Sequence, residues 1–175
     1  MCNGWAARYL SRTACGARFT ERGRQVVSAS GDGGFSMLRG DFLPLVQYDL
    51  PVKVVLFDNS WLGVVELERP VSGLPSYGTT RHAPDFAATA RAAGVFGVRV
   101  EKPEQLTGAP TDAFRYKGPA SVDGVTDPNA LFVPPRISTE TVTGFALSAD
   151  KIVLDGGVGR MIRMARSRLC NLLRP

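Results

Sequence analysis

Two short stretches decide how this chain reads: Gly31-Asp32-Gly33-Gly34-Phe35-Ser36 and Asp58-Asn59-Ser60-Trp61-Leu62-Gly63. Each follows a strand-like run. Gln25-Val26-Val27-Ser28-Ala29-Ser30 leads into the first, and Val52-Lys53-Val54-Val55-Leu56-Phe57 leads into the second. The second run is apolar and β-branched, as expected of a strand buried on both faces. Between them, Ser36 to Tyr48 reads as one helix offering Met37, Leu38, Phe42, Leu45 and Val46 to a core. The pattern is a βαβ unit with a polar cluster just past each strand. In open parallel sheets, ligands bind at that carboxyl edge.

The two clusters suit a divalent metal that holds a diphosphate. Asp32 supplies an anionic oxygen and Asn59 a neutral one. Mg²⁺ prefers oxygen in near-octahedral geometry and usually shares its shell with phosphates. Gly33 and Gly34 let backbone N–H groups approach an anion at the start of a helix. A helix dipole contributes only about 0.3–1 kcal/mol, so the metal must carry most of the anion binding.

At these residues the chain resembles the thiamine diphosphate-dependent enzymes, whose signature is Gly-Asp-Gly followed at a distance by a pair ending in Asn. The longer text Arg24-Gln25-Val26-Val27, Gly31 to Leu38, Gly40-Asp41-Phe42 and Leu50 to Val55 is similar to the pyruvate oxidase and pyruvate:quinone oxidoreductase branch. The resemblance implies an α/β fold: a three-layer domain with a mostly parallel central sheet flanked by helices, followed by a C-terminal helical hairpin. It implies thiamine diphosphate and Mg²⁺ as cofactors, with Asp32, Asn59 and the backbone carbonyl of Trp61 on the metal. Gly31, Phe35 and Leu62 complete the cofactor-binding set, and Gly33, Gly34 and Gly63 present backbone donors to the diphosphate.

Members of this branch oxidatively decarboxylate pyruvate and pass electrons through flavin to quinone or oxygen. In the full-length family FAD sits on a further domain, and a glutamate from a separate pyrimidine-binding domain activates the cofactor across a subunit interface. A chain of 175 residues has room for neither. The expectation is therefore a 2-keto acid substrate such as pyruvate, and a homo-oligomer or partner chain that supplies the pyrimidine-binding domain. Two other readings stand beside this one: an acetolactate synthase-like carboligase, which shares the metal motif, and a non-catalytic remnant or interaction module.

Composition is ordinary for a soluble globular domain. The chain is 44% hydrophobic and 21% charged and is of single-domain size. It holds no run of the roughly 20 apolar residues that a membrane span needs. Cys2, Cys15 and Cys170 are odd in number and lack metal-ligand spacing, which points to a reduced, cytoplasmic setting. His82 is the one histidine, and its polar loop makes it an exposed residue. The net charge is +5, yet aromatics do not interleave with the basic positions as nucleic-acid stacking requires.

In chain order, residues 1–23 form an atypical, shortened N-terminal segment rich in arginine. Trp5-Ala6-Ala7-Arg8-Tyr9-Leu10 resembles the family's text before the cofactor domain, but Ser11 to Gly23 replaces a longer segment that carries part of the pocket in relatives. Residues 24–135 form the cofactor-binding α/β domain. Within it, Trp61 to Glu68 reads as a short helix and Pro70 to Ala83 as a loop. Asp58 is either a second acid beside the anion or a solvated turn residue. Asp85 to Gly94 is a helix with Phe86, Ala90 and Ala93 toward the sheet, and Val95 to Glu101 a parallel strand. Pro103 to Tyr116 should be a crossover helix, cut by Pro110 to a remnant at Thr111 to Arg115. Gly118 to Thr126 occupies the last core strand, weakened by Ser121 and Gly124. Residues 136–175 form a helical extension. Its final helix pairs an apolar stripe with Arg160, Arg163, Arg166, Arg168 and Arg174, giving a surface suited to docking on its own domain or on another subunit, or to peripheral contact with the inner face of a membrane.

Overall fold

The computed structural model describes residues 13–21, 23–37, 39–72, 74, 77–82 and 84–128, with four further positions at 146, 158, 159 and 162. The chain divides into two units, Met1–Asn59 with His82–Thr126, and Ser60–Arg81 with Asp127–Pro175. The expected N-terminal hexapeptide and most of the expected helical hairpin lie outside the described residues.

The first unit is built on a four-stranded sheet in the order β1-β2-β4-β3. Its strands are β1 (Val26–Gly31), β2 (Val52–Asp58), β3 (Phe96–Val100) and β4 (Ala120–Val125), and every pairing is parallel. Helices are α1 (13–20), α2 (Asp32–Ser36), α3 (Phe42–Gln47), α5 (Phe86–Ala92) and α6 (Gly108–Arg115), while α4 (Gly63–Val71) belongs to the second unit.

Register assigns the faces. Val54 pairs with Ser121 and Ser28, so these project to one side of the sheet, as do Leu56 and Asp123. That side holds the larger core, in which Val52, Val54 and Leu56 meet Phe35, Phe42, Leu45, Phe86 and Ala90. Ala120 and Val122 point the other way and pack with Val100 and Ala113 of α6. Phe35 meets Phe42 at a tilt and Phe86 edge-to-face, with ring centroids 5.0 and 5.8 Å apart, which ties α2 to α3 and α5. The expected mostly parallel sheet flanked by helices is the observed architecture.

Two expectations are corrected. The single helix from Ser36 to Tyr48 is instead α2, a 3-10 turn at Arg39–Asp41, and α3. Pro44 has no N–H and would clash with the carbonyl four residues earlier, so the helix restarts and places Pro44 in its first turn. Met37 and Val46 are accordingly exposed, while Phe42 and Leu45 are buried. The remnant at Thr111 to Arg115 is a longer helix beginning at Gly108, because Pro110 again falls in the first turn, where its N–H is not needed. β4 is the expected core strand. It is the interior strand between β2 and β3, with Ser121 fully buried.

Smaller features follow the sequence. Asp85 caps α5, accepting from the Ala88 N–H at 2.7 Å, and Gly94 ends it at φ +85°. The helix expected from Trp61 to Glu68 starts later and runs further, as Gly63–Val71. Within that second unit Trp61 bridges Thr80, and the Leu62 N–H donates to the Thr79 carbonyl at 2.9 Å. The bonds that make this bridge flank Trp61, the other being from the Arg81 N–H to the Ser60 carbonyl at 2.8 Å.

Candidate cofactor site

β1 and β2 are parallel neighbours whose last paired positions are Gly31 and Phe57. The chain therefore leaves both strands at the same, carboxyl edge, into Asp32 on one side and Asp58-Asn59 on the other. Asp32 opens α2 and is only 3% exposed. Ser36, one turn on, donates its hydroxyl to the Asp32 carbonyl at 2.7 Å and closes the short helix on itself. Because α2 has five residues, its dipole adds less than the long helix expected from sequence would have done. After Asn59, Ser60 takes φ +59°, a left-handed conformation that a non-glycine residue adopts at some cost. Trp61, Leu62 and Gly63 lie beyond it, in the second unit.

The donor set fits a hard divalent cation that shares a diphosphate. Asp32 and Asn59 offer one anionic and one neutral oxygen-bearing side chain at one sheet edge. Among the described residues, no group of three or more His, Cys, Asp or Glu could hold a metal by itself. A metal here would take its remaining oxygens from backbone and ligand, as Mg²⁺ commonly does.

Directly behind this edge lies a charged cluster that sequence reading missed. Asp58, the last residue of β2, is 1% exposed, and Asp123 of β4 is 0% exposed. Register sends both to the α5 side of the sheet, together with Arg99, which pairs with Asp123. Arg99 Nη1 donates to Asp123 Oδ2 at 2.6 Å and stands 3.5 Å from Asp58 Oδ2, while its Nε donates to Glu101 at 2.9 Å. Asp123 Oδ2 also accepts from the Phe86 N–H at the start of α5, at 3.2 Å. Asp123 Oδ1 and Ser121 Oγ have no hydrogen-bond partner among the described residues.

Burial pushes the Asp123 carboxyl above its ordinary range, and Arg99 pulls it back only in part. Burial alone would lower Arg99, but its bond to Glu101 and the charges of Asp123 and Asp58 override this and hold its proton more tightly. Asp58 is thus no solvated turn residue. The signal was present: Arg99 and Asp123 are charges set inside strands that face the core, and opposite charges there are expected to meet.

Elsewhere, His82 is exposed as expected, and Glu66 and Thr79 are buried and hydrogen-bonded to each other within the second unit. Among the described residues, no helix is long and apolar enough to cross a membrane.

A parallel sheet with helices on both faces and polar clusters past two adjacent strands defines an α/β cofactor-binding domain. Comparison with known proteins makes the class particular. Residues 8–124 match the family described as thiamine pyrophosphate enzyme, C-terminal TPP binding domain, and the chain belongs to it. It is 35% identical over 144 residues to the putative thiamine pyrophosphate-containing protein YdaP of Bacillus subtilis, covering 79% of this chain and 25% of that protein. It is 30% identical over 113 residues to the acetolactate synthase large subunit of Porphyra purpurea, covering 63% of this chain and 19% of the relative. The crystal structure of benzoylformate decarboxylase from Polynucleobacter necessarius superposes with a TM-score of 0.64 at 25% identity, covering 76% of this chain and 25% of that one. The chain thus spans about a quarter or less of the length of these relatives.

Proposed function

We propose that this chain holds Mg²⁺ and the diphosphate end of thiamine diphosphate in an enzyme that oxidatively decarboxylates pyruvate and passes electrons via flavin to quinone or oxygen. The observation that carries the cofactor reading is the meeting of Gly31-Asp32 and Asp58-Asn59 at one edge of two adjacent parallel strands. In this reading Asp32 and Asn59 are metal ligands, and the Trp61 carbonyl, two residues after Asn59, is a third. Gly33, Gly34 and Gly63 offer backbone donors to the diphosphate, and Gly31, Phe35 and Leu62 complete the cofactor-binding set. Bound thiamine diphosphate would supply the carbanion-stabilising chemistry that decarboxylation of a 2-keto acid requires. The residues of this chain bind and orient it. The pyruvate oxidase branch is favoured by the text at Arg24 to Val27, Gly31 to Leu38 and Leu50 to Val55.

Titration of the purified chain with thiamine diphosphate, with and without Mg²⁺, is expected to show saturable binding that requires the metal and is lost in Asp32→Ala. Normal affinity in that variant would overturn the ligand assignment. No binding by a folded wild-type chain would favour a non-catalytic module. Similarity to an acetolactate synthase supports a second reading, a carboligase. The product from pyruvate, once the remaining parts of an enzyme are supplied in trans, separates the two: acetolactate marks the carboligase, and reduction of a quinone or oxygen marks the oxidase.

A further inference from the structure

We infer that Arg99 is a positioning residue for the metal edge: it holds the Asp58 carboxylate back so that Asn59, the next residue, is presented to the cation. This rests on the cofactor reading above.

The cluster is arranged for such a role. Arg99 reaches across β4 from β3, making its shortest contact to Asp123 and a longer one to Asp58 at the end of β2. All three side chains project to the same face, which α5 covers. The position of Asp58 is fixed from the backbone as well, since its carbonyl accepts from the Thr126 N–H at 2.8 Å. A buried carboxylate one residue from a metal ligand is a competitor. Left uncompensated, it would attract the cation to itself and repel the diphosphate that must share it. Asp123 cannot supply the compensation, being an acid. Arg99 can, because its planar fork reaches more than one carboxylate while staying charged. Groups behind the metal ligands commonly set their orientation.

The test is a double-mutant cycle on the full chain, read by calorimetric titration with thiamine diphosphate at fixed Mg²⁺. Arg99→Met is expected to weaken binding about 10- to 100-fold, the usual loss when support behind a metal ligand is removed. Asp58→Asn removes the carboxylate that needs restraint, so Arg99→Met combined with Asp58→Asn should recover most of the lost affinity. Asp58→Asn also relieves its repulsion of Asp123, so denaturant midpoints of all variants are measured without cofactor, and recovered affinity supports the inference only where it exceeds what recovered stability explains. If Arg99→Met does not fold, the cycle is run with Arg99→Lys, which keeps the charge and loses the fork.

A folded Arg99 variant that binds like wild type overturns the inference, and so does a loss that Asp58→Asn fails to rescue. Asp32→Ala separates the levels. If wild type binds and Asp32→Ala does not, a silent Arg99 cycle overturns this inference alone. If wild type binds nothing, the cofactor reading falls and takes this inference with it.

Discussion

Single residues in this domain show charge placed where the sheet is driest. Lys53 of β2 is 4% exposed and tolerates it because its ammonium donates to the Tyr116 and Gly118 carbonyls at 2.5 and 2.8 Å. Those bonds tie β2 to the segment that leads into β4. Burial nevertheless lowers the Lys53 pKa below 10.5. The unfolded chain then binds the proton more tightly than the folded one between the lowered value and 10.5. Stability attributable to this group should therefore rise with pH through that window. Denaturant midpoints measured as pH approaches 10.5 should climb in wild type relative to Lys53→Met, and parallel profiles would show that burial does not tune this amine. The apolar run Val52 to Phe57 marked β2 as buried, but nothing in the run told which carbonyls would receive Lys53. Its acceptors lie more than sixty residues away in sequence.

At the scale of elements, α5 and β3 make the tightest approach in the first unit. Gly97 faces α5, and a Cβ there would collide with the Ala87 carbonyl oxygen and stand 3.1 Å from Ala90 Cβ. Gly97→Ala should therefore destabilise the fold by about 1–3 kcal/mol through overpacking, seen as a lower denaturant midpoint. An unchanged midpoint would mean that helix and strand can part without cost. α5 itself was legible almost residue by residue, since Asp85, the apolar positions Phe86 and Ala90, and Gly94 each carry a local signal for start, face or stop. The region from Ser36 to Tyr48 was misread despite an equally local signal, Pro44. Apolar spacing across Met37, Phe42 and Leu45 suggested one helix, and a proline in the middle should have outweighed it. Pro110 carries the opposite lesson: its breaker chemistry predicts a shortened helix, whereas it sits in the first turn of α6. In both places proline fixes where a helix begins.

At the scale of the whole molecule, the parallel topology and the meeting of the two polar clusters were readable, because a βαβ unit leaves little choice over which strand ends become neighbours. The order of β3 and β4 was not, nor was the Asp58–Arg99–Asp123 cluster, because both depend on β4 inserting between β2 and β3. If Asp32 and Asn59 hold Mg²⁺ and thiamine diphosphate, ligand binding must also be a term in folding, since neither group can bind an unfolded chain in this way. At a free concentration 100 times Kd, the stabilisation is about 2.7 kcal/mol. For a chain of this size that corresponds to a rise of roughly 5–10 °C in the midpoint. Scanning calorimetry should show the rise only when metal and cofactor are both present, because each supplies ligands or charge that the other needs. Mg²⁺ alone should do little, and Asp32→Ala should remove the effect of metal and cofactor together. A shift with cofactor alone would place the binding energy in contacts to the organic part of the cofactor and not at the metal edge.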